Sequence, residues 1–359
     1  MRFGHLGIEV EDLFAMEQFY RAALGLELRY RYVSRNTPGL RTVMLGRDGL
    51  ELELLSRPRP AAGSEGLPRI PGHLSVAVDD VDAAFARIAS RGLLAAGFEP
   101  PRDTGDGFRE AVLRDPEGNV IELSARIRPP PTVPVQALIF DLDGTLVDSE
   151  PNYYLADRDL LARRGITFTE EDKARYVGGG NLDMMIDVKR RYGLPETAEA
   201  LVEEKNAIYL ALAERSTPVY PGMRRLLDLA REAGLKVGVA SGTSPAVLSR
   251  VLEVTGLGAL LPVVVSAEEV ARGKPSPLIF LEAARRLEVP PEACAVVEDS
   301  RPGVEAALRA FMRCIAVPYL PARPLHPTFG LADLLFEGGM ETFDPDRAMA
   351  WLAGAGRAS

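Results

Sequence analysis

Two carboxylates stand two residues apart in Asp141-Leu142-Asp143-Gly144-Thr145, directly after the apolar run Ala137-Leu138-Ile139-Phe140. Side chains two apart on an extended chain point the same way. One carboxylate can then attack phosphorus while the other moves protons. Gly144 permits a tight turn that would bring backbone N–H groups to a phosphate. Further polar groups recur downstream: Ser241-Gly242-Thr243 after Val239-Ala240, Lys274 in Gly273-Lys274-Pro275, and Glu298-Asp299 after Val296-Val297. Acids gathered in one place call for a cation, because unpaired carboxylates raise each other's pKa.

A second set sits near the N-terminus. The chain holds 3 histidines, and two of them, His5 and His73, occupy equivalent places in a repeat. His5-Leu6-Gly7-Ile8-Glu9-Val10-Glu11-Asp12 matches His73-Leu74-Ser75-Val76-Ala77-Val78-Asp79-Asp80, and the copies close on Gly49–Leu54 and Gly118–Leu123. Strand alternation puts His5 and Gly7 opposite Leu6, Ile8 and Val10, and His73, Ser75 and Ala77 opposite Leu74, Val76 and Val78. The apolar faces are expected to pack on helices, leaving the histidines to look into a cup. Glu53 opposes Leu50, Leu52 and Leu54, and Glu122 opposes Asn119, Ile121 and Leu123, so both glutamates enter the same cavity. A single strand histidine is more often a satisfied core residue. A doubled His with a doubled Glu points to a divalent cation, which removes the cost of buried carboxylates. Glu51 shares a face with Glu53, and the equal spacing from Gly49 and Gly118 selects Glu53. Sequence does not choose among Ni, Co, Zn, Mn and Fe.

These residues need scaffolds. Asp12 and Asp80 are placed as N-caps of helices that end near Gly25 and Gly92. Two strand-helix-strands units, each too small to bury its own sheet face, should pack together as an α+β domain over residues 1–126. Residues 127–134 hold four prolines and read as a stiff linker. Beyond it, strands over Val135–Asp141, Leu235–Ser241, Pro262–Ser266, Cys294–Asp299 and Arg313–Val317 alternate with helices. Their continuous apolar runs predict a doubly wound parallel α/β sheet, residues 135–148 and 219–345. Residues 149–218 read as an inserted, entirely helical cap. Gly178-Gly179-Gly180-Asn181 breaks that cap as a loop reaching over the site, with Arg175, Asn181 and Lys189 as candidate substrate contacts.

The downstream motifs, in this order and at strand ends, resemble the haloacid dehalogenase (HAD) superfamily over about 200 residues. The resemblance implies that Asp141 is the nucleophile and Asp143 the acid and base. It implies that Ser241 donates to the phosphoryl group and Lys274 offsets charge. Mg2+ would be held by Asp141, Asp143 and Asp299, with Glu298 as a supporting or alternative ligand. Gly144, Thr145, Gly242 and Thr243 are the motif residues expected beside the substrate. Dehalogenases lack an acid at the Asp143 position, so phosphoryl transfer is implied. β-Phosphoglucomutase carries a cap histidine where this chain has Tyr153, which favours a phosphatase on a small phosphorylated metabolite. Ala310-Phe311-Met312 departs from the usual Ala-Gly-Met. The N-terminal part, with Phe19–Gly25 and Asp115–Asn119, resembles the vicinal oxygen chelate (VOC) superfamily, built from paired βαβββ units. Its four ligands are most similar to glyoxalase I, in which a ligand glutamate shuttles a proton. That implies metal-dependent lyase or isomerase chemistry and is consistent with a homodimer through this domain. The chain thus reads as a fused, bifunctional enzyme. The alternatives are a phosphatase with a non-catalytic ligand-sensing module, and a phosphomutase.

Composition narrows the rest. At 359 residues, 47% hydrophobic and 26% charged, the chain is globular and long enough for two domains. A net charge of -9 gives no basic face for nucleic acid. No stretch approaches the length of a membrane span, and no signal-peptide pattern opens the chain. The two cysteines, Cys294 and Cys314, lie in apolar runs. A cytoplasmic, reducing location is the expectation.

Overall fold

The structure is a computed structural model and describes residues 2–34, 37–57, 72–92, 94, 96–114, 120–127, 133–176, 181–319 and 324–354. The prolines at 129–131, the Asp115–Asn119 segment and the glycines at 178–180 lie outside the described residues. The chain divides into two units, residues 1–133 and 134–359.

Unit 1 runs β1 (Arg2–Glu9), α1 (Leu13–Leu24), β2 (Glu27–Val33), β3 (Arg41–Arg47), β4 (Leu50–Ser56), β5 (Gly72–Ala77), α2 (Val81–Ser90), β6 (Glu99–Asp103), β7 (Phe108–Arg114) and β8 (Val120–Arg126). Asp12 and Asp80 cap α1 and α2 by accepting from the N–H groups of Ala15 and Ala83, and Gly25 and Gly92 turn left-handed just beyond. The eight strands form one sheet in the order β2-β3-β4-β1-β5-β8-β7-β6. The two copies meet where β1 runs antiparallel to β5. Helix α1 covers β3 and β4, while α2 covers β6, β7 and β8. Leu52, Leu54, Ala84, Leu113 and Leu123 are buried. The centre of that face differs from expectation. Leu6 and Leu74, paired in register, remain 43% and 44% exposed among the described residues, because the helices lie over the outer strands and not over the β1–β5 seam.

Unit 2 begins with β9 (Ala137–Phe140), whose four residues are wholly buried. The helices α3 (Glu150–Ala162), α4 (Glu170–Ala174), α5 (Asn181–Tyr192) and α6 (Ala198–Ala213) follow. Leu160, Leu161, Phe168, Met185 and Leu201 close a core of their own among these helices. Then come α7 (Pro221–Glu232), β10 (Lys236–Ser241), α8 (Pro245–Val254), β11 (Val263–Ser266), α9 (Leu278–Leu287), β12 (Cys294–Glu298), α10 (Arg301–Arg309), β13 (Arg313–Ala316), β14 (Leu334–Leu335) and α11 (Pro345–Leu352). Every strand pair is parallel, in the order β11-β10-β9-β12-β13-β14. The sixth strand, β14, is two residues long and too short to announce itself in sequence. Both cysteines are buried and free. Phe311 takes φ 64° where α10 ends, a left-handed position that glycine occupies without strain. Its side chain is buried, which offsets that cost.

Candidate functional site

In unit 2 the polar residues gather at the carboxyl ends of the three central strands. β9 delivers Asp141 and Asp143, β10 ends in Ser241, and β12 ends in Glu298 and leads into Asp299. Asp141, Asp143, Lys274 and Asp299 line one cavity together with cap residues Tyr153, Lys173 and Asn181. Lys274 Nζ bonds Asp141 Oδ1, lies 2.5 Å from Glu298 Oε1 and donates to the Ala240 carbonyl at 3.2 Å. Burial opposes the charge on Lys274, but Asp141 and Glu298 outweigh it and hold the ammonium above the ordinary lysine value. Burial pushes the Asp141 carboxyl up to about 8, with Glu298 and Asp143 adding to the rise and Lys274 opposing it. Asp299 is raised well above the usual carboxylate range, again by burial first and then by Glu298 and Asp141. One ammonium therefore does not neutralise this group of acids. The donor set is all oxygen, so the residues fit a hard dication.

Asp143 is held differently. Its Oδ2 accepts from Ser241 Oγ at 3.1 Å and from Thr243 Oγ1 at 2.6 Å. Tyr153 Oη lies 3.0 Å from the same threonine hydroxyl. Asp143 Oδ1 is buried with no hydrogen-bond partner among the described residues. Gly144 turns the chain at φ 76°, and a Cβ there would stand 2.5 Å from Asp299 Oδ2.

Several expected contacts fall elsewhere. The Gly144 N–H closes the turn on the Val147 carbonyl at 2.9 Å instead of opening to the cavity. Thr145 is wholly buried, and its hydroxyl donates to Asp299 at 3.2 Å. The Ser241 and Thr243 hydroxyls are directed to Asp143, although Gly242 and Thr243 do line the cavity. Arg175 stays at the surface, 3.6 Å from Asp172, because α4 turns it outward. Lys189 donates to the Leu194 and Glu196 carbonyls and ties down the end of α5. Glu298 is wholly buried with both oxygens engaged: Oε1 faces Lys274, and Oε2 accepts from the Asp299 and Ser300 N–H groups and the Ser300 hydroxyl. It is placed to anchor Lys274 and not to take a cation. A Cβ on Gly303 would lie 1.8 Å from Glu298 Cδ, so α10 can approach only with glycine there. Sequence reasoning passed over Glu150, Lys173 and Tyr176, which line the same cavity from the cap.

In unit 1 the register assembles the second set. Gly7 is the partner of both Glu53 on β4 and His73 on β5, and Ser75 is the partner of Glu122 on β8. A β-bulge between Phe3 and Leu6 contains His5. His5 Nε2 and His73 Nε2 lie 2.9 Å apart. Glu53 Oε2 is 3.3 Å from each, and Glu122 carboxylate oxygens are 3.7 Å from each. His5, Glu53 and His73 together offer ligand atoms within 4.8 Å of one another. Glu51 instead lies 3.7 Å from Arg29. Two of the small residues that alternation places on the histidine face shape this site. Ser75 donates to Glu122 at 2.8 Å, and Gly7 leaves room for the His73 ring, since a Cβ there would lie 1.9 Å from it. Burial opposes a proton on His5, but Glu53 and Glu122 outweigh it and raise its pKa, while burial raises that of Glu122. The two imidazoles and the Glu53 carboxylate fit a divalent transition metal, and Glu122 stands just outside that group.

Comparison with known proteins agrees with this division. Residues 135–310 match the haloacid dehalogenase-like hydrolase family, and residues 2–123 match the Glyoxalase/Bleomycin resistance protein/Dioxygenase superfamily. Hexitol phosphatase B of Escherichia coli (strain K12) is 35% identical over 203 residues, covering 56% of this chain and 90% of that protein. Beta-phosphoglucomutase of Bacillus subtilis (strain 168) is 31% identical over 193 residues, covering 51% of this chain and 83% of that protein. The crystal structure of CbbY from Rhodobacter sphaeroides in complex with phosphate superposes with a TM-score of 0.52 at 28% identity, covering 57% of this chain and 95% of that one. No helix of the described residues is long and apolar enough to cross a membrane. With its parallel sheet and strand-end acids preceded by a curled eight-stranded sheet, the chain belongs to the haloacid dehalogenase-like hydrolases and carries an N-terminal glyoxalase-superfamily domain.

Proposed function

We propose that unit 2 is a Mg2+-dependent phosphatase acting on a small sugar phosphate-like metabolite. The observation that carries this reading is the division of labour between the two motif acids. Lys274 holds Oδ1 of Asp141, while two hydroxyls fix Oδ2 of Asp143 and leave its Oδ1 free. Asp141 attacks phosphorus and the ester P–O bond breaks, as Asp143 gives its proton to the leaving oxygen. Asp143 then takes a proton from the water that attacks the aspartyl-phosphate, and inorganic phosphate leaves as Asp141 is regenerated. The Asp141 and Asp299 carboxylates and the Asp143 carbonyl would hold Mg2+, which when bound offsets the charge of the entering phosphoryl oxygens. Asp141→Asn should abolish phosphate release while the circular-dichroism spectrum stays that of the wild type. Hydrolysis near the wild-type rate would remove Asp141 as the nucleophile.

A phosphatase is favoured over a phosphomutase by Tyr153. Burial, and then Asp143, raise its phenol well above 10, so it stays protonated at neutral pH and does not act as a base. Transfer of phosphate between sugar positions, dependent on a bisphosphate, would reverse this choice.

For unit 1 we propose a metal centre formed by His5, Glu53, His73 and Glu122, supporting isomerase or lyase chemistry. The dication there could be Ni, Co, Zn, Mn or Fe and would polarise adjacent oxygens of a ligand. Metal analysis of the purified chain should find a transition metal that His5→Ala loses. A wild-type protein free of such metal, with His5→Ala changing no activity, would leave unit 1 as a ligand-binding module.

A further inference from the structure

The cap presents two groups to the phosphatase cavity that the chemistry at Asp141 does not use. Lys173, on α4, and Glu150, the first residue of α3, both line it. The Lys173 ammonium donates to Asp157 Oδ2 at 2.9 Å and stands 5.4 Å over the ring of Tyr153. Asp157 is wholly buried, and its other oxygen lies 2.7 Å from the wholly buried Lys205 Nζ. Lys205 in turn donates to Asn181 Oδ1 at 2.9 Å. A lysine head on a four-carbon stem is ordinarily mobile. Here the Asp157–Lys205 pair, on α3 and α6, fixes where it sits.

Glu150 supplies the complementary group. Its Oε2 is buried and has no hydrogen-bond partner among the described residues. The distance from that oxygen to Lys173 Nζ is 3.8 Å, too long for a direct hydrogen bond. A donor and an acceptor held apart in this way can both be satisfied by one hydroxyl, which accepts from the ammonium and donates to the carboxylate. A second phosphate would satisfy Lys173 but set a like charge against Glu150. An ammonium would do the reverse. A sugar hydroxyl suits both through its single oxygen.

We propose that Lys173 and Glu150 form a hydroxyl-binding subsite through which the cap selects polyhydroxylated phosphate esters. The subsite rests on the phosphatase reading of Asp141. It is fixed by cap helices alone, so it can set substrate choice without touching phosphorus.

The test compares two substrates on the full chain with Mg2+. A hexitol phosphate carries the hydroxyls and p-nitrophenyl phosphate carries none. Lys173→Gln should lower the ratio of kcat/KM for the hexitol phosphate to that for p-nitrophenyl phosphate by about 10- to 100-fold, the scale of one lost hydrogen bond to a charged group. Most of the change should appear in KM for the hexitol phosphate. An unchanged ratio overturns the subsite, as does a wild type that hydrolyses p-nitrophenyl phosphate but not the hexitol phosphate. A wild type that hydrolyses neither overturns the phosphatase reading itself. If Lys173→Gln unfolds, Glu150→Gln carries the same comparison with the Lys173–Asp157–Lys205 ion pairs intact.

Discussion

Asp141 and Asp143 are the same residue type two positions apart, yet the fold gives them different surroundings. Asp141 is pressed into a buried group of acids that raises its carboxyl to about 8, chiefly by burial. Asp143 Oδ2 receives two hydroxyl donors. The raised value of Asp141 has a consequence for stability. The folded chain holds that proton more tightly than the unfolded chain, whose value is near 3.8. Folding therefore loses stability as pH rises from 3.8 towards 8, and the penalty is full above 8. A cation favours the charged form and removes the penalty. The increase in thermal midpoint on adding Mg2+ to chelator-treated protein should accordingly be larger at pH 8.5 than at pH 5.5. A shift independent of pH would show that no buried carboxylate is coupled to the ion.

At the scale of elements, the positions without side chains matter as much as the reactive ones. Helix α10 starts against Glu298, and Gly303 in its first turn leaves the space that the carboxylate fills. Gly303→Ala should cost about 1–3 kcal/mol from overpacking. It should also lower kcat, because a displaced Glu298 no longer steadies Lys274 on Asp141. Denaturant unfolding and phosphate release measure the two effects, and a variant as stable and active as the wild type would deny the anchoring role. The acids and the lysine of this element set were legible from sequence, since the acids stand in short runs at the ends of β9 and β12 and the lysine in the short Gly273-Lys274-Pro275 run of the loop between β11 and α9. The cap subsite was not. Glu150, Asp157, Lys173 and Lys205 come from three helices, and no local spacing announces that one aspartate will meet two lysines. Arg175 shows the converse. Its composition suits substrate contact, but the direction in which α4 presents it sends it to Asp172 at the surface.

At the scale of the whole molecule, the division at residues 133 and 134 leaves one cluster of acids and a lysine in unit 2 and one cluster of histidines and glutamates in unit 1. Each unit has its own sheet and its own buried residues. Residues 134–359 expressed alone should fold and retain the phosphate-release activity of the full chain, and residues 1–133 should retain the metal. Loss of activity in the isolated 134–359 unit would show that it depends on unit 1. The exposed Leu6–Leu74 seam was not foreseen, because alternation says which residues share a face and not whether a helix covers it.

What the sequence determined by itself was the list of reactive groups and the frame they stand on. The Asp-x-Asp-Gly-Thr run, the His and Glu repeated 68 and 69 residues apart, and the order of strands and helices follow from local pattern, which one chain carries in full. Tertiary structure decided what each group faces. It turned Ser241 and Thr243 onto Asp143, closed Thr145 against Asp299 and committed both oxygens of Glu298. It also set a buried ion pair beneath Lys173. The physical reason is that hydrogen bonds and ion pairs form over about 3 Å between elements distant in sequence. Their partners are fixed by packing and register, which local periodicity does not encode.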